Sequence, residues 1–361
     1  MAENELFDLA RLFDICEDEN ATTVEPYGNG HINSTFIVNG KKKYILQKIN
    51  TNVFPHPIEL MNNIDLVTAH IKKKLAEEGE DTERGTLTII KTKDGKNYAE
   101  DCGEYYRMFG FIDGVSHDNT TDPSQLFRAA SVYGKFQKML SDFPAEKLFE
   151  VIPKFHDTPS RLLNLERAIA EDKKGRLKEV KADVEFALSY KNDISCVTSG
   201  IADGSIPLRV THNDTKLNNF LFDKTTDECL CLIDLDTIMP GSLLYDFGDA
   251  LRLGASSAAE DEADLSKVNF VFEPFEQFAR GFVLGMDGKM TKREIELLPY
   301  SELLMTYEVG IRFLTDYLEG DTYFRIAYPE HNLVRARNQL MLVRRLEENM
   351  NKLNKFIESI L

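Results

Sequence analysis

One eight-residue stretch constrains this chain more than any other: His212-Asn213-Asp214-Thr215-Lys216-Leu217-Asn218-Asn219. Strand-like runs flank it, at 208–211 and 220–222. Twenty residues after Asp214, a strongly apolar run over 229–233 ends in Asp234-Leu235-Asp236. A loop carboxylate, an amide five residues later and a second carboxylate at a strand end are therefore fixed in order along the chain.

That order suits phosphoryl transfer. The reaction has a loose transition state, so the protein mainly positions groups and neutralises charge. A carboxylate accepts the acceptor hydroxyl's proton, and oxygen ligands hold Mg²⁺. In H-x-D-x-x-x-x-N, Asp214 is expected to serve as base or orienter. Asn219 turns back toward the metal, and Asp234 bridges Mg²⁺ to the phosphates of ATP. Lys216 is positioned to neutralise the transferring phosphate. His212 is expected to hold the loop by hydrogen bonds, and Thr215 to shape it.

Upstream, Gly28-Asn29-Gly30-His31-Ile32-Asn33-Ser34 forms a glycine-rich turn before a β-branched and aromatic run. Glycines there allow backbone amides to approach phosphates closely, which makes Gly28, Gly30, His31 and Asn33 candidate nucleotide contacts. Asn39-Gly40 signals a hairpin, and Lys43 to Ile49 is its returning strand. Lys48 is the candidate cation for the nonterminal phosphates. Strand alternation puts Gln47 and Lys48 on opposite faces, and the sequence does not say which is functional. Glu59, on the helix that follows Pro57, is a candidate partner for Lys48. Residues 108–113 suit a hinge, with Phe109 and Phe111 beside the nucleotide base. Asp113-Gly114 then breaks the pattern, and amphipathic helices dominate the rest. The expected organisation is a nucleotide-binding lobe over 1–113 and a second lobe over 114–361. The near-heptad stripe of the last helix is expected to pack on its own domain, giving a monomer.

Composition narrows the alternatives. The 361 residues are 42% hydrophobic and 29% charged, which suits a folded chain and not a disordered one. A net charge of −17 repels nucleic acid phosphates and anionic membranes. The five scattered cysteines suit free thiols in a reducing compartment. The N-terminus lacks a basic, then apolar, leader, and no run reaches the ~18 apolar residues of a membrane span. A cytoplasmic protein is the expectation.

At HNDTKLNN…LIDLDTIMPGSLLYDFGDALRLGA the chain resembles the aminoglycoside phosphotransferase and choline kinase superfamily. It is more closely similar to the bacterial N-acetylhexosamine 1-kinases. YGNGHINSTF, KYILQKINTNVFPHP, YYRMFGFIDG, KFHDTPSRLLNLERAI and SSAAEDEADLSKVNFVFEPFEQFARGF carry that closer match. The resemblance implies an α+β, protein-kinase-like bilobal fold with a small antiparallel-sheet N-lobe and a larger, mainly helical C-lobe. It implies transfer of the ATP γ-phosphate to the anomeric hydroxyl of N-acetylglucosamine or N-acetylgalactosamine. Asp214 is then the base, Asn219 and Asp234 are the Mg²⁺ ligands, and Thr237, Arg312 and Tyr323 contact the sugar, with Asp249 and Arg252 nearby. Asn213 stands where the superfamily usually has glycine. Rival expectations are a kinase of choline, homoserine or an aminoglycoside, and a non-catalytic sugar or nucleotide binder.

Overall fold

The computed structural model describes residues 3–15, 23–28, 32–118, 120 and 122–361. Gly30 and His31 lie outside the described residues. The chain divides into two compact, discontinuous units. Unit 1 is Met1–Ser116 with Asp142–Ile152 and Asn219–Met239; unit 2 is His117–Ser141, Pro153–Asn218 and Pro240–Leu361. Neither unit is one continuous stretch: Asp142–Ile152 and Asn219–Met239 belong with Met1–Ser116.

Unit 1 contains α1 (Glu3–Ala10), β1 (Thr23–Pro26), β2 (Ser34–Asn39), β3 (Lys43–Lys48), α2 (Pro57–Glu78), β4 (Ile89–Ile90), β5 (Ala99–Asp101) and β6 (Glu104–Gly110). Its later segments supply β8 (Phe220–Phe222) and β9 (Cys229–Leu232). The main sheet is antiparallel, in the order β1-β2-β3-β6-β4, with β5 also on β6. Asn39-Gly40 makes the β2–β3 turn as the sequence signals. On one sheet face, Leu6, Leu9 and Phe13 pack against Val24, Val38, Leu46, Tyr106 and Met108.

Buried polar side chains recruit the later segments to unit 1. Asn63 of α2 donates to the carbonyls of Phe149 (2.8 Å) and Ile238 (2.9 Å), and its Oδ1 accepts from Phe149 N. Arg84 pairs with Asp223 at 2.7 Å, and Val115 bridges to Phe222. The Asn63 bonds satisfy an amide that would otherwise be costly to bury, whereas the Arg84–Asp223 pair is partly exposed.

Unit 2 holds α3 (Pro123–Met139), α4 (Thr158–Glu171), α5 (Lys181–Ser189), α6 (Cys196–Asp203), β7 (Arg209–Thr211), α7 (Leu243–Gly254), α8 (Phe272–Met286), α9 (Lys292–Glu319) and α10 (His331–Ser359). Pro at the first turn and an Asp N-cap start both α3 and α4. The α3–α8 contact is close because it is built on glycine. A Cβ at Gly281 would stand 2.2 Å from Phe127 O, and one at Gly285 2.2 Å from Ser131 O. The stripe of α10 (Leu333, Leu340, Val343, Leu346, Leu353 and Ile357) is buried within the chain, and α10 packs on α9. Among the described residues no helix is long and apolar enough to cross a membrane. Cys102, Cys196, Cys229 and Cys231 are free thiols.

The antiparallel sheet followed by a helical remainder is the α+β class expected. The first helix stops at Ala10, because the chain turns so that Phe13 can bridge to Thr92. A 3₁₀ turn over Leu177–Glu179 precedes α5, which begins at Lys181. The short elements β1, β5 and α6 carry no period that pattern reading can detect.

Glu302, wholly buried in α9, carries a carboxyl that meets no hydrogen-bond donor among the described residues. Burial raises its pKa from 4.5 to about 8. The folded state therefore holds a proton that the unfolded chain releases above pH 4.5, and stability falls as pH rises from 4.5 toward 8. Glu302→Gln should flatten that slope and raise the melting temperature at pH 8 relative to the parent, read from thermal melts across the range.

Candidate active site

In unit 2, β7 delivers the chain into the 212–216 loop and is held from two sides. Arg209 forms a bidentate pair with Glu294 (Nε–Oε1 2.5 Å, Nη2–Oε2 2.8 Å) and donates to Lys289 O at 2.8 Å. Glu294 also completes the capping box of α9 with Thr291. Gln137 of α3 donates to Val210 O at 2.9 Å.

The loop is wound around one buried carboxylate. Asp246, in the first turn of α7, accepts from His212 N (Oδ2, 2.8 Å), Asn213 N (Oδ1, 2.6 Å) and the Tyr133 hydroxyl. Its own carbonyl accepts from Thr215 Oγ1 at 2.7 Å. Asn213 has φ 64°, in the left-handed region that asparagine tolerates better than most residues. This accounts for an asparagine where the superfamily usually has glycine. Burial raises the Asp246 pKa, against the pull of nearby His212 and its hydrogen bonds. Burial beside Asp246 pushes the Tyr133 phenol well above 10, so it remains a donor.

This bracing turns Asp214 out of the core. Its carboxylate is one-third exposed and meets Lys216 Nζ at 2.9 Å. His212 is buried, its backbone N–H bound to Asp246, and the Thr215 hydroxyl is tied to the Asp246 carbonyl.

Elsewhere in unit 2, Arg312 and Tyr323 come together. The Arg312 guanidinium lies 5.9 Å from the Tyr323 ring centroid, 5.7 Å from that of Phe155 and 5.5 Å from that of Phe324. It makes no ion pair within 4 Å among the described residues. Asp316 shapes the segment bearing these rings, accepting from the backbone N–H of Thr322 (2.8 Å), Tyr323 (2.8 Å) and Phe324 (2.9 Å), and from Asn332 Nδ2. Below, Glu308 is buried, with His156 Nδ1 at 2.9 Å and Thr158 Oγ1 at 2.6 Å. Asp249 and Arg252 also meet, but mainly each other. Arg252 Nε is 3.3 Å from Asp249 Oδ1, and its Nη1 lies 2.6 Å from Glu260 Oε1. These contacts pin the segment after α7.

In unit 1, the β8–β9 hairpin brings Asn219 opposite Ile233, with Ile233 N donating to Asn219 O at 2.8 Å. Asp234 follows directly, with φ 59°, and is exposed, whereas Asp236 is buried. Thr237 closes the same short turn. Asn219 and Asp234 thus stand at one end of the hairpin, and the oxygens of an amide and a carboxylate are the donors they could offer a cation. Such a set suits a cation that keeps several waters and phosphate oxygens, as Mg²⁺ does. Among the described residues no group of three or more His, Cys, Asp or Glu side chains could hold a metal, so phosphates and water would supply the remaining ligands.

The nucleotide candidates divide. Gly28 adopts φ 74°, as a turn glycine should. The Asn33 side chain is used internally, donating to Asp236 Oδ2 at 2.6 Å and accepting from Asn50 N at 2.9 Å. Lys48 pairs with Glu104 at 2.8 Å and not with Glu59; that bond raises its pKa. Gln47, on the other face, contacts Arg107. Phe109 is buried under the Arg107 guanidinium at 5.2 Å, while Phe111 packs edge-on to Tyr27 with Lys43 at 5.6 Å. Arg107 and the structural use of Asp236 were not foreseen. The available signal was an arginine inside the apolar strand YYRMFGF.

The chain belongs to the phosphotransferase enzyme family, which matches residues 23–274, well over half its length. Solved structures agree on the fold. An aminoglycoside phosphotransferase from Alicyclobacillus acidocaldarius aligns with TM-score 0.60 at 13% identity, covering 98% of this chain and 96% of that one. A microcompartment-associated aminopropanol kinase aligns at 0.57 and 14%, covering 97% and 98%. Choline kinase from Cryptosporidium parvum aligns at 0.56 and 14%, covering 99% and 98%.

Tyr133→Phe removes one donor from Asp246 and should lower unfolding free energy by about 1–3 kcal/mol in urea titration. An unchanged midpoint would remove the phenol from the bracing of the loop.

Proposed function

We propose that the chain is an ATP-dependent kinase that phosphorylates the anomeric hydroxyl of N-acetylglucosamine or N-acetylgalactosamine. Asp214 orients the hydroxyl and takes its proton as the oxygen–γ-phosphorus bond forms. The bond from the γ-phosphorus to the bridging oxygen breaks, and ADP leaves with that oxygen. Lys216 neutralises charge on the transferring group. Asn219 and Asp234 hold Mg²⁺, which when bound neutralises the phosphates. Gly28 offers its backbone to the nucleotide, while Thr237, Arg312 and Tyr323 contact the sugar.

The observation that carries the acceptor assignment is the Arg312 guanidinium, set among three aromatic rings with no ion pair within 4 Å among the described residues and only the longer-range attraction of the buried Glu308 carboxylate. A site lined by such a cation disfavours choline and aminoglycosides, which are themselves cationic, and favours a neutral acceptor rich in oxygen acceptors. Asp249 and Arg252 act at one remove in this scheme, because they are spent on each other and on Glu260.

Coupled ADP release should appear with either hexosamine and fall to background with choline and an aminoglycoside. Product analysis should find phosphate on the anomeric oxygen. Release with choline and neither sugar would overturn the acceptor assignment. Asp214→Asn should lower kcat by at least two orders of magnitude while ADP still binds, and near-parent turnover would remove Asp214 from the chemistry.

A further inference from the structure

Arg107 sits in β6 with its side chain only 2% exposed. Strand register pairs it with Gln47 of β3, to whose Oε1 its Nε donates at 2.9 Å. Gln47 Nε2 passes the connection to Thr35 Oγ1 of β2 at 3.0 Å. On its other side, Arg107 forms an ion pair with the buried carboxylate of Asp236. The second oxygen of Asp236 accepts from Asn33 Nδ2, and Asn33 Oδ1 accepts from Asn50 N. One polar path thus joins β2, β3 and β6 to the turn after β9 and returns to the residue just before β2.

We propose that Arg107 is a positioning residue for the nucleotide end of the site: it fixes Asp236 and, through it, Asn33, so that Asp234 and the entry to β2 are set before ligand arrives. The proposal rests on the kinase reading in one respect, that Asp234 handles magnesium nucleotide. Asp234 lies two residues from Asp236 in left-handed backbone, so the orientation of Asp236 governs where the exposed carboxylate points. Without Arg107, Asp236 would be a buried carboxylate lacking its countercharge, and by swinging toward water it would release Asn33. A guanidinium suits the place because its fork meets Gln47 and Asp236 in two directions, which a lysine ammonium reproduces poorly. Lys48 cannot substitute, since it points to the opposite sheet face.

The test uses the full chain and the variants Arg107→Met, Arg107→Lys, Asn33→Ala, Asp236→Asn and Arg107→Met with Asp236→Asn. Magnesium ADP binding is measured by calorimetry, and amide exchange over residues 32–39 is followed in ligand-free protein. Arg107→Met should weaken magnesium ADP binding at least tenfold and speed exchange at 32–36, while the KM for hexosamine changes less than threefold. Arg107→Lys should fall between Arg107→Met and the parent. The double variant should lose no more than the worse single variant, as expected for partners in one network. Should Arg107→Met fail to fold, Asn33→Ala decides, because it cuts the path beyond the ion pair and should weaken binding likewise. A folded Arg107→Met or Asn33→Ala with parental binding and exchange overturns the proposal. A parent that does not bind magnesium ADP overturns the kinase reading instead, and exchange in the free protein still decides the positioning claim.

Discussion

The contact between the Asp246 carboxylate and the backbone of the 212–213 turn is the interaction on which the candidate catalytic loop depends. A loop that places one residue in left-handed backbone leaves its N–H groups pointing inward with no strand or helix to receive them. Asp246 receives two of them, and the Tyr133 hydroxyl completes its shell. A carboxylate carried off in this way from water must be fully hydrogen-bonded or it destabilises the fold. The same bonds thereby connect α3, β7 and α7, so the loop's shape is a property of the helical core and not of its eight residues.

Unit 1 repeats the arrangement with different chemistry. There Asp236 is buried against a guanidinium and an asparagine amide, while Asp234 remains exposed two residues away. In both units one acid is consumed in holding a turn and a neighbouring acid is left at the surface. Asp246 and Asp236 are buried and engaged by donors or a countercharge of the fold, whereas Asp214 and Asp234 retain contact with solvent.

The arrangement around Arg312 follows the same economy of charge. Asp316 satisfies three successive backbone donors and so folds Tyr323 and Phe324 toward the guanidinium, while Arg312 keeps only the longer-range attraction of the buried Glu308 carboxylate. Arg252 has the opposite fate. It stands near the C-terminus of α7 among Asp249, Glu260 and Gln339, and its donors are largely consumed by them. Two arginines of one unit thus differ in availability for a reason that residue type alone does not disclose.

What could be read along the chain was whatever short-range spacing encodes: the β2–β3 hairpin from Asn39-Gly40, the long helices from their apolar stripes, and the Asp214, Asn219 and Asp234 pattern from its flanking strands. Asn213 also belongs here, because its tolerance of positive φ is intrinsic to the residue. Pairing across long separations required the folded chain. Whether Gln47 or Lys48 faces Arg107 depends on the register of β3 against β6, which is set by pairing between segments far apart in the chain. The partnership of Arg107 with Asp236, 129 positions later, and that of Asp246 with Tyr133, 113 positions earlier, arise because buried charges and donors must find complements wherever the core brings them. Local pattern records the period of an element and the chemistry of a residue, whereas the assignment of each polar group to structure or to ligand is settled only when burial has determined which partners are within reach.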